Sequence, residues 1–151
     1  MADDGTTELW RQHRIGQDKY TYFLLAAAAS GIAFSVQKTE GLTLSWQLLP
    51  VGLAVLAWGG SFYCGCQSLI WVQTALYANF SLLQLSRGTH PQQPAHPDHV
   101  RAATEGVRMA VDSNVSKAQF NARWQFRLVI VGALLFIAWH IWRLYRNACA
   151  V

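Results

Sequence analysis

Apolar positions gather in three stretches, with polar residues confined between them. The first runs from Tyr20 to Val36 and holds 17 residues with no charge among them. At 1.5 Å per helical residue that is about 26 Å, a little short of a ~30 Å hydrocarbon core. Tyr20 and Tyr22 suit the headgroup level, and Lys19 can snorkel beside them. Gly41 then breaks the pattern and Ser45 stands where a helix N-cap is expected. A second stretch opens at Trp46 and runs through Val51, Leu53, Val55, Leu56 and Trp58 to Cys66, with Pro50 in its first turns, where a missing amide matters least. The third centres on Leu128 to Trp142, 15 uncharged residues flanked by Trp124, Arg127, Arg143, Tyr145 and Arg146. Its span of roughly 22 Å relies on snorkelling arginines and aromatic girdles.

Beyond Cys66 the chain stays uncharged up to Ser86, yet mixes Gln73, Thr74, Asn79, Ser81 and Gln84 with Leu, Ile, Trp, Tyr and Phe. No turn residue separates this stretch from the second span, so one helix from about Trp46 to Leu85 is expected, twice as long as a bilayer core is thick. Gly88 and three prolines then stop it. Asp98 is placed to cap a further helix, in which Val100, Ala103, Val107, Ala110 and Val111 recur at helical spacing. Arg101, Glu105, Arg108 and Asp112 form a charged face that is expected to be solvated, and 112–116 is expected to break the helix.

The expected fold is therefore all-α, a polytopic helical membrane protein. Its parts are a cytoplasmic N-terminal segment (1–19), transmembrane helices at 20–36, 46–66 and 124–146, and an external loop (37–45). A cytoplasmic helical hairpin (67–123) carries a Pro-rich loop (87–98), and a short tail (147–151) ends the chain. Composition agrees. Of 151 residues, 52% are hydrophobic and only 13% charged, against roughly 25% in an ordinary soluble domain. The polar first 19 residues do not resemble a cleavable signal, so the first span is expected to be retained.

Lys and Arg set the expected orientation. The N-terminal segment (Arg11, Arg14, Lys19) and 67–127 (Arg87, Arg101, Arg108, Lys117, Arg123, Arg127) carry nine, against three for Lys38, Arg143 and Arg146. That puts the N-terminus and the middle segment in the cytoplasm of a bacterial inner (plasma) membrane. Arg143 and Arg146 sit awkwardly on the far side, and a re-entrant third segment would relieve them.

Motifs for chemistry are lacking: no phosphate-binding loop, zinc-protease helix, serine-nucleophile elbow or carboxylate pair is found, and no enzyme and no cofactor is expected. Cys64 and Cys66 lie about 200° apart on one helix and cannot bridge each other, and Cys149 stands alone. His90, His96 and His99 in the Pro-rich loop could gather a metal, but a solvated loop is the simpler reading, and no metal site is expected. The interleaved acids argue against nucleic acid and for anionic headgroups as the partner of the basic side.

Small residues suggest assembly. Ala27 and Gly31 form a small-xxx-small pair, and Gly52, Gly59 and Cys66 repeat at seven. With Ile70, Tyr77, Phe80 and Leu83 left uncovered by one helix, a homo-oligomer is expected. Ser30, Ser35, Ser61, Gln67 and Ser68 are the candidate lining of a weakly polar pore. The layout of spans at 20–36 and 46–66 with cytoplasmic helices resembles the SLATT membrane effectors, from which the third span departs. That resemblance implies breaching of the membrane. A pore gated through its cytoplasmic helices by a signalling ligand is one expectation; a non-conducting anchor that recruits a soluble cytoplasmic partner is the other.

Overall fold

The described residues form three long α-helices, α1 (Ala2–Thr39), α2 (Leu49–Arg87) and α3 (Pro97–Cys149), with a 3-10 turn at Trp46–Leu48 ahead of α2. The computed structural model describes residues 2–42 and 45–149. Thr43 and Leu44 of the expected external loop, residues 150–151 of the tail, and the side chains of Arg11, Arg14 and Cys149 lie outside the described residues. The all-α class holds. Each helix contains a segment long and apolar enough to cross a membrane, within Ile15–Thr39, Trp46–Arg87 and Pro97–Arg146, the mark of an integral membrane protein.

Two differences from the sequence reading concern continuity. Residues 2–19 belong to the same helix as the first apolar run, since Gly5 and Gly16 each cost only about 1 kcal/mol and no proline accompanies them. Residues 112–116 do not interrupt α3 either. Ser113, Asn114 and Ser116 each disfavour helix by less than about 0.7 kcal/mol, and without Gly or Pro that is too little to open a turn between two well-paired flanks. Where strong punctuation exists, the chain obeys it. At the end of α2 Gly88 adopts φ 69°, its N–H reaching the Leu85 carbonyl and the Thr89 N–H reaching that of Gln84. This pair of bonds is the Schellman closure, which satisfies carbonyls the helix would leave open. Gly41 takes φ 75° just after α1, with the Leu42 N–H on the Thr39 carbonyl.

Of the two expected caps, Ser45 keeps the N-cap position and Asp98 does not. Ser45 sits in extended geometry before the 3-10 turn, but its hydroxyl makes no capping bond; its carbonyl receives Leu48 N–H at 2.9 Å. Before α3 the capping residue is His96 and not Asp98: the His96 ring Nδ1 accepts the Asp98 N–H at 3.3 Å, and Pro97 takes the first helical position. Asp98 falls in the first turn, where its charge complements the helix dipole.

The chain divides into two units, 1–65 with 123–151, and 66–122. In the first, three helical segments pack along one seam, and contacts follow in register. Thr21 and Leu25 of α1 meet the level of Gly65 and Gln125, and Gly31 meets that of Trp58 and Gly132. In this unit α3 therefore runs parallel to α1, and α2 antiparallel to both. In the second unit the Ser68 hydroxyl donates to the Ala118 carbonyl at 3.0 Å, the Lys117 ammonium lies 4.4 Å over the Trp71 ring, and Gln93 reaches the Leu85 carbonyl.

Candidate functional site

Buried positions recur at intervals of three and four along α2, and of four or seven along α1 and α3. On α2 they are Val51, Ala54, Trp58, Ser61, Gly65, Ser68 and later Ala75; on α3, Ala118, Gln125, Gly132 and Trp139 stand seven apart; on α1, Leu24, Ala28 and Ser35. This is the spacing of helices that cross at shallow angles. Nine of these fourteen seam residues are Ala, Gly or Ser. Large side chains elsewhere point outward: Phe23, Leu56, Leu134 and Trp142 are each more than half exposed. Such inversion follows from the solvent. Between lipid and protein there is no hydrophobic preference to place Leu inside, so close backbone approach and internal hydrogen bonds organise the interior instead.

Trp58 fills the centre of the first unit. Its indole lies so close to Gly31 and Gly132 that a Cβ on either would come within 2.8 Å and 2.6 Å of ring atoms. The ring Nε1–H donates to the Val129 carbonyl at 3.2 Å, and Ala28 and Ala54 complete the buried cluster, with Ile32, Val129, Ala133, Leu135 and Phe136 around it. Phe136 stands 5.9 Å from Trp58 and 5.7 Å from both Phe34 and Trp139, giving a chain of tilted and edge-on rings.

A polar level lies two turns away. Gln125 is almost wholly buried; its side-chain Nε2 donates to the Thr21 carbonyl at 3.3 Å, while its backbone carbonyl receives the Ser61 hydroxyl at 2.8 Å. Gly65 leaves the room this amide needs, since a Cβ there would stand 2.5 Å from Nε2. Gln125 was not among the candidate residues. The sequence signal for it is the register Gln125, Gly132, Trp139, in which one polar and one small residue share a face with an aromatic.

The candidate residues divide by this geometry. Gly31 packs inside, against Trp58. Ala27 and Cys66 are half-buried, whereas Gly52 and Gly59 are exposed, with nothing within 4 Å of an added Cβ. Ser61 and Ser68 are buried and donate to α3 carbonyls, as given above. Ser35 is fully buried, its hydroxyl unpartnered among the described residues, while its carbonyl accepts from Thr39 at 2.9 Å. Gln67 is half-buried and Ser30 is exposed, on an outward stripe with Ala26, Ala29 and Ala33.

In the second unit Ile70, Tyr77, Phe80 and Leu83 are all exposed, Tyr77 by 74%. Arg101, Glu105, Arg108 and Asp112 are solvated, and among the described residues none of the four pairs with another. His96 and His99 stack at 5.6 Å, with Asp98 3.5 Å from the His96 Nδ1, but no group of three or more His, Cys, Asp or Glu able to hold a metal occurs among the described residues. Cys64 and Cys66 are free thiols. No family model, no curated protein and no solved structure matches the chain.

Proposed function

We propose that this integral membrane protein assembles from several copies of itself and makes the bilayer permeable along a path between them. One observation carries the reading: Gly52 and Gly59 face outward with nothing against them. The neighbouring outward faces carry large apolar side chains, which suit lipid. Gly52 and Gly59 are notches on a stripe that also carries exposed Leu56 and Tyr63, and such notches let another helix approach its backbone closely while the large side chains interlock around it. The outward stripe Ala26, Ala29, Ser30 and Ala33 on α1 offers the same opportunity.

Trp58 occupies the interior of a single copy, so the path is assigned to the space between copies. Of the five residues expected to line it, Ser30 and Gln67 are the two that a second copy can reach; Ser35, Ser61 and Ser68 serve internal packing in this reading. The nine-to-three distribution of Lys and Arg supports a cytoplasmic N-terminus and a cytoplasmic helical hairpin at 67–123. Exposed Tyr77 and Phe80 on that hairpin supply apolar surface for sister copies, and hence a lever by which a cytoplasmic signal opens the assembly.

A second reading draws on the same surface. Tyr77, Phe80 and Ile70 would equally seat a soluble protein, with the spans as a non-conducting anchor. Reconstitution separates the two. The pore reading expects discrete conductance in planar bilayers, and copper-phenanthroline cross-linking through Cys66 in a Cys64→Ser, Cys149→Ser background. Silent bilayers together with a monomeric mass in detergent overturn it.

A further inference from the structure

We infer that the end of α3 and the α1–α2 connection together form a binding site for a phosphate ester, of the kind carried by an anionic phospholipid headgroup. A cavity of about 200 Å³ opens there, lined on one side by Trp139, Trp142, Arg143 and Arg146 and on the other by Ser45 and Gln47. All of these belong to the first unit. Arg143 and Arg146 are one turn apart on α3, so both guanidinium groups reach the same opening.

Three features give the cavity its chemistry. Its charge is positive and uncompensated: no carboxylate lines it among the described residues, and neither arginine makes an ion pair there. Its lining is varied, since two arginines share it with a serine and a glutamine, side-chain types whose donors together match the oxygens of a phosphate better than a single point charge would. Its aromatic lining suits the headgroup level of a bilayer. The Arg143 Cζ lies 5.5 Å from the Trp139 ring centroid, a cation–π pairing that ties the guanidinium to an aromatic of the kind found at headgroup level. Trp142 is more than half exposed, as an aromatic at headgroup level would be, and Leu42 and Leu48 give the cavity an apolar flank for glycerol and the first acyl carbons.

The site also accounts for the two arginines that fit the Lys and Arg distribution worst. Their place on the sparsely basic side follows from ligand binding and needs no re-entrant third segment. This inference requires the bilayer but neither a pore nor an oligomer, so it stands or falls separately from the reading above.

Native mass spectrometry of the full chain in dodecyl maltoside tests it. The probes are dioctanoyl-phosphatidylglycerol and dioctanoylglycerol, which share acyl chains and differ in the phosphate. Wild type should retain the phosphatidylglycerol preferentially, a comparison that needs no variant. The double substitution Arg143→Gln with Arg146→Gln should lower retention by about tenfold, the loss expected when charge-assisted bonds are removed. Arg127→Gln, at an arginine stacked 5.5 Å over Trp124 but outside the cavity, should leave it within about twofold of wild type. Competition by millimolar inorganic phosphate identifies free phosphate as an alternative source of the anion; persistence of the lipid against it identifies the headgroup. Equal retention of the two dioctanoyl lipids overturns the inference. So does a loss in Arg127→Gln as large as in the double variant, since that is general attraction to anionic lipid.

Discussion

The indole N–H of Trp58 donates to the Val129 carbonyl across 3.2 Å, and it can do so only because Gly132, three residues further along α3, has no side chain in the way. The glycine and the bond are one device. A Cβ at Gly132 would lie 2.6 Å from the donating Nε1 itself, and the ring cannot retreat because a Cβ-free Gly31 already sits against its other atoms.

Gly132→Ala is therefore expected to destabilise the protein by about 1–3 kcal/mol, the range for overpacking a closed site. Gly59→Ala, where nothing lies within 4 Å, should leave the fold intact and gain slightly from helix propensity. Tryptophan fluorescence through an SDS titration in mixed micelles reads both. Equal stability of the two variants would show that Trp58 is not held as described.

Gly65 and Gln125 form a second coupled pair. Alanine at 65 places a methyl 2.5 Å from the Gln125 Nε2, driving the amide off the Thr21 carbonyl and leaving buried polar atoms unpaired. Gln125→Ala alone opens a void. Together the changes should compensate in part, because the new methyl occupies space the amide has left and, of its nearest neighbours, keeps only the Leu25 Cδ2 at 2.7 Å, the end of a flexible side chain. A double-mutant cycle in the same unfolding assay should return a coupling of about 1 kcal/mol in the rescuing direction. Strict additivity would mean that the two residues do not share the site.

Much of the fold is legible in the sequence because lipid imposes coarse rules. Uncharged runs at 20–37 and 41–86 give the long helices, and Gly88 with its prolines gives the break, each through composition or a single strong breaker. The inward faces are harder to read. When every side of a helix is apolar, periodicity of hydrophobicity loses its meaning, and Ala54, Ser61, Ser68 and Ala75 mark the interior by size. The repeat Gly52, Gly59 and Cys66 has the same period in another register; its first two members face outward, so spacing alone cannot rank the two stripes. Pairings such as Trp58 with Gly31 and Gly132 join residues distant in the chain, and no local pattern announces them.

The turn after α2 offers a test of backbone geometry free of packing. Gly88 holds φ 69° with nothing within 4 Å of an added Cβ, so Gly88→Ala meets only the left-handed penalty, about 1–2 kcal/mol. Asparagine, which tolerates that region, should lose less than alanine. Hydrogen exchange at the last turn of α2 should quicken in the alanine variant. Unchanged exchange and stability would mean that the Schellman bonds to Leu85 and Gln84 do not hold this end.

The outward stripe yields the prediction on which assembly depends. Gly59→Leu adds a side chain into empty space, so the folded chain has no reason to object; only a neighbouring copy seated on that groove would. The variant should keep wild-type stability in the unfolding assay while its mass in detergent falls toward the monomer. Arg108→Ala serves as the comparison, because Arg108 is exposed and unpaired among the described residues and its loss should change neither quantity. The two readouts must separate for the argument to hold. Should Gly59→Leu retain its oligomer mass, the groove packs against lipid and copies meet elsewhere. Should it unfold, residue 59 belongs to the interior of the chain, and its outward placement is wrong.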